Sequence, residues 1–117
     1  MRSQPERAPE RPRGRPARVC PEFHHAVELI GRRWSGAILW TLADGPRYFV
    51  EISEAVPGLS DRLLSRRLRE LEDEDVVKRS VHGGTPPRVS YALTEKGRAL
   101  RPAIRQLGAW AQEWNGA

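Results

Sequence analysis

Apolar residues recur along this chain with two different periods, and the change of period divides it. The first part is helical. Phe23, Val27 and Ile30 repeat at i, i+4 and i+7 after Pro21, which suits the first position of a helix, and Gly31 is placed to end it. A second run, from about Trp34 to Leu42, is apolar on most sides (Trp34, Ala37, Ile38, Leu39, Trp40, Leu42), which predicts a helix lying centrally in the core. Asp44-Gly45-Pro46 closes it as a turn. A short third helix, roughly Phe49 to Val56, turns Phe49, Ile52, Ala55 and Val56 inward, and Pro57-Gly58 is the next turn. The fourth helix, residues 60–74, has the sharpest division. Ser60 is its N-cap, Asp61 meets the positive end of the dipole, and Leu59 and Leu64 stand at the positions of a hydrophobic staple. Leu64, Leu68 and Leu71 form one apolar stripe, while Arg62, Ser65, Arg66 and Arg69 cluster on roughly the opposite side.

The period then shortens to two. Val89, Tyr91 and Leu93 alternate with Ser90, Ala92 and Thr94, and Val76 to His82 forms a partner run across Gly83-Gly84-Thr85-Pro86-Pro87. The pair predicts a β-hairpin with a tip too long for a two-residue turn. From Thr94, an N-cap, a last helix is expected to run to about Trp114, with Leu100, Ile104, Leu107, Ala111 and Trp114 stepping by four and three. Pro102 lies inside that pattern and predicts either a kink or a helix that starts there. Helices followed by a hairpin give a mainly α fold with a small β-hairpin, the winged helix-turn-helix layout.

Composition narrows the class. The 117 residues suffice for one domain, and with 38% hydrophobic and 30% charged residues the chain reads as soluble and globular. No apolar run approaches a membrane span, and the basic N-terminus lacks the apolar core of a signal peptide. A single cysteine, Cys20, excludes an intramolecular disulfide framework and fits a reducing cytoplasm. The net charge of +5 suits a polyanionic partner. It is unevenly placed: residues 1–19 hold six Arg and two Glu, whereas residues 20–117 hold 14 Lys+Arg and 13 Asp+Glu. Residues 1–19 therefore read as a disordered Arg/Pro-rich arm and residues 20–117 as the folded domain. Arg11-Pro12-Arg13-Gly14-Arg15-Pro16 resembles the core of an AT-hook, with Arg13 and Arg15 meeting the minor groove and Gly14 letting the backbone approach its floor. Coincidence in an Arg/Pro/Gly-rich string, with only non-specific phosphate attraction, is the competing reading.

The local sequence also resembles a family. Cys20-Pro21, Ile30-Gly31-Arg32-Arg33-Trp34, Asp44-Gly45-Pro46-Arg47-Tyr48-Phe49, Pro57-Gly58-Leu59-Ser60, Arg67-Leu68-Arg69-Glu70-Leu71-Glu72, Pro86-Pro87-Arg88-Val89-Ser90-Tyr91 and Leu93-Thr94-Glu95-Lys96-Gly97 are similar to the pattern of the HxlR-type winged-helix transcriptional regulators, over residues 20–114. The resemblance implies a cytoplasmic, nucleoid-associated bacterial DNA-binding regulator. It implies a dimer through the first and last helices, a second motif helix in the major groove, and the hairpin as wing. The chain departs from the pattern at Asp75, where the family often has Gly, and in its Arg-rich arm.

In that reading the recognition helix contributes Ser60, Arg62, Ser65, Arg66 and Arg69. Residues early in the helix are best placed for base edges, and an arginine can bond two acceptors of guanine at once. Arg69 falls to phosphate or an internal ion pair, and Arg67 to a structural pairing with an acidic neighbour. The acidic run Glu70 to Asp75 should point away from the duplex. Arg47 is a candidate phosphate clamp, and Lys78, Arg79 and Arg88 are candidate wing contacts, Arg88 through a minor groove or a phosphate. The small core leaves the first helix in need of a partner, so Phe23, Val27, Leu107, Trp110 and Trp114 are the expected dimer contacts.

Cys20 begins a helix, where the dipole favours a thiolate. Some members of the family use a cysteine in this Cys-Pro position as a redox or electrophile sensor, so it is a candidate sensor; the alternative is a small interface residue. A small-molecule or oxidant effector is the corresponding partner. His24 and His25 follow Cys20, but no further ligands complete a metal site, and no nucleophile–base set or phosphate loop points to an enzyme or a cofactor. The sequence thus predicts a homodimeric regulator reading an inverted repeat in double-stranded DNA. The alternatives are a winged-helix protein-interaction module or a non-specific chromosome-associated protein driven by the arm.

Overall fold

Ile38, Leu39, Leu42, Ile52, Leu64, Leu68 and Leu71 meet in one fully buried cluster, closed by Val76, Val77, Tyr91 and Leu93. They come from the second, third and fourth helices and the hairpin, and the first and last helices add only Ile104 to the buried set. The computed structural model describes residues 18–116 together with Pro9 and Gly14. Along it run α1 (Pro21–Gly31), α2 (Ser35–Leu42), β1 (Arg47–Tyr48), α3 (Phe49–Ala55), α4 (Asp61–Asp73), β2 (Val77–His82), β3 (Arg88–Leu93), α5 (Glu95–Arg98) and α6 (Arg101–Asn115). The fold is mainly α with a small antiparallel sheet, the winged helix-turn-helix architecture.

Ala55, expected to turn inward on α3, is exposed, and three details of the element order differ from the expectation. The last helix is two helices. Ala99 and Leu100 separate α5 from α6, and Pro102 sits in the first turn of α6, where its missing N–H leaves no bond unmade. The second of the two readings of Pro102 therefore holds. The hairpin also gains a third strand, since β1 pairs antiparallel with β3 at Arg47↔Tyr91 and Tyr48↔Ser90, giving the order β1-β3-β2. Finally, α2 starts one residue later than its apolar run. Trp34 caps it with φ 80 in the left-handed region.

Leu93-Thr94-Glu95-Lys96-Gly97 acts as a latch between the sheet and the end of α4. The Thr94 hydroxyl donates to the Asp75 carbonyl (2.5 Å) and accepts from the Gly97 amide (3.0 Å), so one side chain ties a strand end to a helix cap. Lys96 Nζ donates to the Glu74 carbonyl at 2.7 Å, satisfying a carbonyl at the C-terminal end of α4. Gly97 presses against the Val76 carbonyl, where a Cβ would overlap the oxygen. Just before this latch Asp75 turns the chain with φ 59, which explains why Gly suits the position.

Candidate nucleic-acid interface

The helix-turn-helix is α3, the turn 56–60 and α4. Gly58 takes φ 89 in the turn, and the Leu59 amide donates to the Val56 carbonyl at 3.3 Å. The Ser60 hydroxyl accepts from the Leu63 amide at 3.1 Å, the expected N-cap. Ser53 of α3 donates to the Asp61 carboxylate at 2.7 Å, fixing one motif helix on the other. With Leu64, Leu68 and Leu71 fully buried, the rotation of α4 is set. Arg62, Ser65, Arg66 and Arg69 then lie exposed on its outer face.

The arginines of α4 divide into two kinds. Among the described residues Arg62, Arg66 and Arg69 enter no ion pair. Arg67 is tied into the fold: Nη1 meets Glu70 at 2.9 Å and Nε donates to the Arg33 carbonyl at 2.9 Å. The second Glu70 oxygen takes Arg32 at 2.8 Å. One turn on, Glu74 meets the His25 ring at 3.0 Å. That hydrogen bond holds the Glu74 carboxyl below its usual range; the positive charges of Lys96 and Arg32 add to it and partial desolvation opposes it. Glu70 and Glu74 of the acidic run are thus spent on the α1–α2 connection and α1.

The sheet sorts the wing residues by face. Register pairs Lys78 with Ala92, Ser80 with Ser90 and His82 with Arg88, so Lys78, His82, Arg88 and Tyr48 share one face, while Arg79, opposite Tyr91, lies on the other. Arg88 has its guanidinium carbon 3.5 Å from the centroid of the Tyr48 ring, and the His82 ring meets the same tyrosine edge-on at 5.7 Å. His82 Nε2 also bonds the Ser90 hydroxyl at 2.7 Å. A groove of about 420 Å³ runs between recognition helix and wing, lined by Tyr48, Phe49, Val50, Ser65, Arg88 and Val89 among others. Arg47 is half-buried and its Nε donates to the Thr41 carbonyl at 3.2 Å, so one of its donors serves the fold. Tyr48 carried no periodic signal, and the pairing of β1 places it at this site; the exposed Val50 comes from the first turn of α3.

The helices α1 and α6 expose large apolar side chains. No residue of α1 is buried, and α6 buries only Ile104. Phe23 (64%) and Trp114 (69%) stand open, as do Val27, Leu107 and Trp110. Trp40 lies across Gly108, so α2 supports α6 by a close approach that a larger residue would block. Cys20 is exposed ahead of α1, and its thiol donates to Glu22 at 2.9 Å, which draws the Glu22 carboxyl below its usual range. His24 pairs with Glu28 at 3.1 Å rather than with Cys20. No group of three metal-ligating side chains occurs among the described residues, and no helix there is long and apolar enough to cross a membrane. Of the arm, Gly14 is described with φ 73, while Arg13 and Arg15 lie outside the described residues.

Known proteins share this arrangement. Residues 29–117 match the model of a family described as HxlR-like helix-turn-helix. The HTH-type transcriptional regulator YvaP of Bacillus subtilis (strain 168) is 48% identical over 96 residues, spanning 82% of this chain and 89% of the relative. YodB, an HTH-type transcriptional regulator of the same organism, is 44% identical over 96 residues, with 82% and 86% covered. The reduced form of YodB superposes with a TM-score of 0.72 at 43% identity, over 83% of this chain and 95% of that one. YodB is also known in a quinone-bound form, which superposes with a TM-score of 0.71 at 42% identity over 82% of this chain and 100% of that one. The redox regulator HypR in its oxidized form gives 0.75 at 36% identity, over 80% and 96%.

Proposed function

The chain belongs to the HxlR-like helix-turn-helix family of DNA-binding transcriptional regulators, and from that premise we propose that it works as a homodimer on an inverted-repeat operator. The observation that carries this reading is the division among the α4 arginines. Arg67 is held by Glu70 and the Arg33 carbonyl, whereas among the described residues Arg62, Arg66 and Arg69 enter no ion pair and stand exposed beside Ser65 on the outer face. Three cations kept out of internal pairs on one helix face match a duplex. Arg62 and Arg66, with Ser65, read base edges, and Arg69 meets phosphate. Lys78 and Arg88 on one wing face, with Arg79 and Arg47 near the backbone, add contacts outside the major groove.

The uncovered faces of α1 and α6 support the dimer. Phe23 and Val27 on one, and Leu107, Trp110 and Trp114 on the other, are large side chains that a second copy would remove from water. Two recognition helices related by a two-fold axis then address half-sites about one helical turn, roughly 34–36 Å, apart. Selection of bound duplexes from a random pool tests this. Enrichment of an inverted repeat is expected; enrichment of a single half-site, or of nothing, contradicts the reading.

Cys20 supports a second element of the reading, control by an oxidant or electrophile. Its thiol is exposed at the end of α1 that carries the apolar dimer face. Among the relatives, YodB is known quinone-bound and HypR in an oxidized form. With one cysteine per chain, a disulfide must link two protomers or a small thiol. Treatment with diamide or a quinone should release the selected duplex from the wild-type protein and leave a Cys20→Ser variant bound. Equal release from both would assign control elsewhere.

A further inference from the structure

The wing arginine is not a free tether. Arg88 and Tyr48 are diagonal neighbours across the β1–β3 pair, because Tyr48 stands opposite Ser90, two residues beyond Arg88. At 3.5 Å from guanidinium carbon to ring centroid the two planes are in contact distance, close enough for a strong cation–π interaction. A second strand braces the same ring. His82 lies directly opposite Arg88, meets Tyr48 edge-on at 5.7 Å and is itself held by Ser90 at 2.7 Å. The Tyr48 amide is fixed in turn, donating to Glu51 at 2.8 Å. Three strands therefore contribute to a single shelf, and the arginine on it remains exposed at the mouth of the groove that Ser65 of α4 also lines.

We propose that Tyr48 is a positioning residue for DNA binding: its ring, braced by His82, holds the Arg88 guanidinium at a fixed place beside the recognition helix so that the wing engages the duplex without first ordering a long side chain. The inference rests on the DNA-binding reading above and deepens it. An unrestrained arginine loses rotamer freedom when it is immobilised at an interface, and a stacked one has already lost much of it. A stacked guanidinium keeps its in-plane N–H donors free, so the same group can lie on the ring and still bond phosphate or the edge of a minor groove. Tyr48 thus contributes to affinity without itself reading sequence.

The test uses the full chain and the duplex selected from the random pool. Tyr48→Phe, which keeps the ring, should bind within about twofold of wild type. Tyr48→Leu should weaken binding roughly fivefold, and Arg88→Ala roughly tenfold, with the salt dependence falling by about one phosphate contact. The Tyr48→Leu/Arg88→Ala double variant should bind no worse than Arg88→Ala alone, because the ring acts through the arginine. Fully additive losses would overturn the proposal. The free protein supplies an independent reading in case Tyr48→Leu folds poorly. The Arg88 Nε–H should be ordered in wild type and in Tyr48→Phe by NMR relaxation, and an Arg88 as mobile as an ordinary surface arginine in both would equally overturn it. If wild type selects no duplex at all, the DNA-binding reading fails instead, while the ordering of Arg88 still reports on the shelf.

Discussion

Arg67 and Glu70 stand one turn apart on α4 and form an ion pair of 2.9 Å on its inner flank, where Arg67 also donates to the Arg33 carbonyl. Its neighbour Arg66 faces out. Two adjacent residues of one type thus serve two different ends, and the difference lies in rotation about the helix axis.

The two arginines should separate experimentally. Arg67→Ala leaves Glu70 with Arg32 alone and the Arg33 carbonyl without its donor. A loss of about 2 kcal/mol is expected, the scale of a hydrogen bond to a charged group that is largely shielded from water. Thermal unfolding should show it as a lower Tm. Arg66→Ala should leave Tm unchanged.

On DNA the order reverses. Arg66→Ala should weaken binding to the selected duplex roughly tenfold or more, the worth of a bidentate base contact, and change binding to random duplex far less. Competition titrations at fixed salt measure both. Equal losses on the two duplexes would make Arg66 a phosphate contact.

Asp75 occupies a left-handed conformation with φ 59. Asp75→Gly should raise stability by about 0.5–1 kcal/mol, and Asp75→Ala should lower it by about 1 kcal/mol. Denaturant unfolding of the pair decides the point. A stabilising alanine would show that the conformation is relaxed in solution.

Glu74 predicts a pH dependence with a definite sign. The His25 hydrogen bond lowers its carboxyl below the ordinary range, so its contribution to stability is present above the ordinary carboxylate value and is lost as pH falls through the lowered one. The His25 hydrogen bond is the largest cause, and the positive charges of Lys96 and Arg32 add to it. Glu74→Gln should therefore melt below wild type near neutral pH and converge with it once the pH has fallen through the lowered value. A gap that stays constant across the range would assign the effect to something other than this titration.

The uncovered apolar face predicts the assembly. Leu107→Glu or Trp114→Glu places a charge where a second copy would have to bury it, at a cost of several kcal/mol if the face is an interface. Sedimentation should show the wild type as a dimer and the variants as monomers, with binding to the full inverted repeat reduced toward that of a half-site. Unchanged sedimentation would move the interface elsewhere.

The parts legible in the sequence were those written in a local period. Leu64, Leu68 and Leu71 recur at helical spacing, so the buried stripe of α4 and its basic outer face followed from one turn of backbone geometry. The alternation Val89, Tyr91, Leu93 announced β3 in the same way. The strand β1 was invisible because two residues carry no period; Arg47 and Tyr48 are a strand only because β3 lies beside them. The break before α6 was signalled by Pro102, whereas the packing of Gly97 on the Val76 carbonyl carried no sequence period.

By itself, then, the sequence determined which face of each element would be apolar and which basic, since covalent geometry alone sets those periods. Only the tertiary structure decided which arginine is spent inside and which aromatic ring holds the wing arginine. Arg67 reaches a carbonyl 34 residues away, and Arg88 reaches a tyrosine from a strand that pairing creates. Ion pairs and stacks depend on distances between segments far apart in the chain, and those distances exist only once Leu64, Leu68, Leu71 and their partners have closed the core.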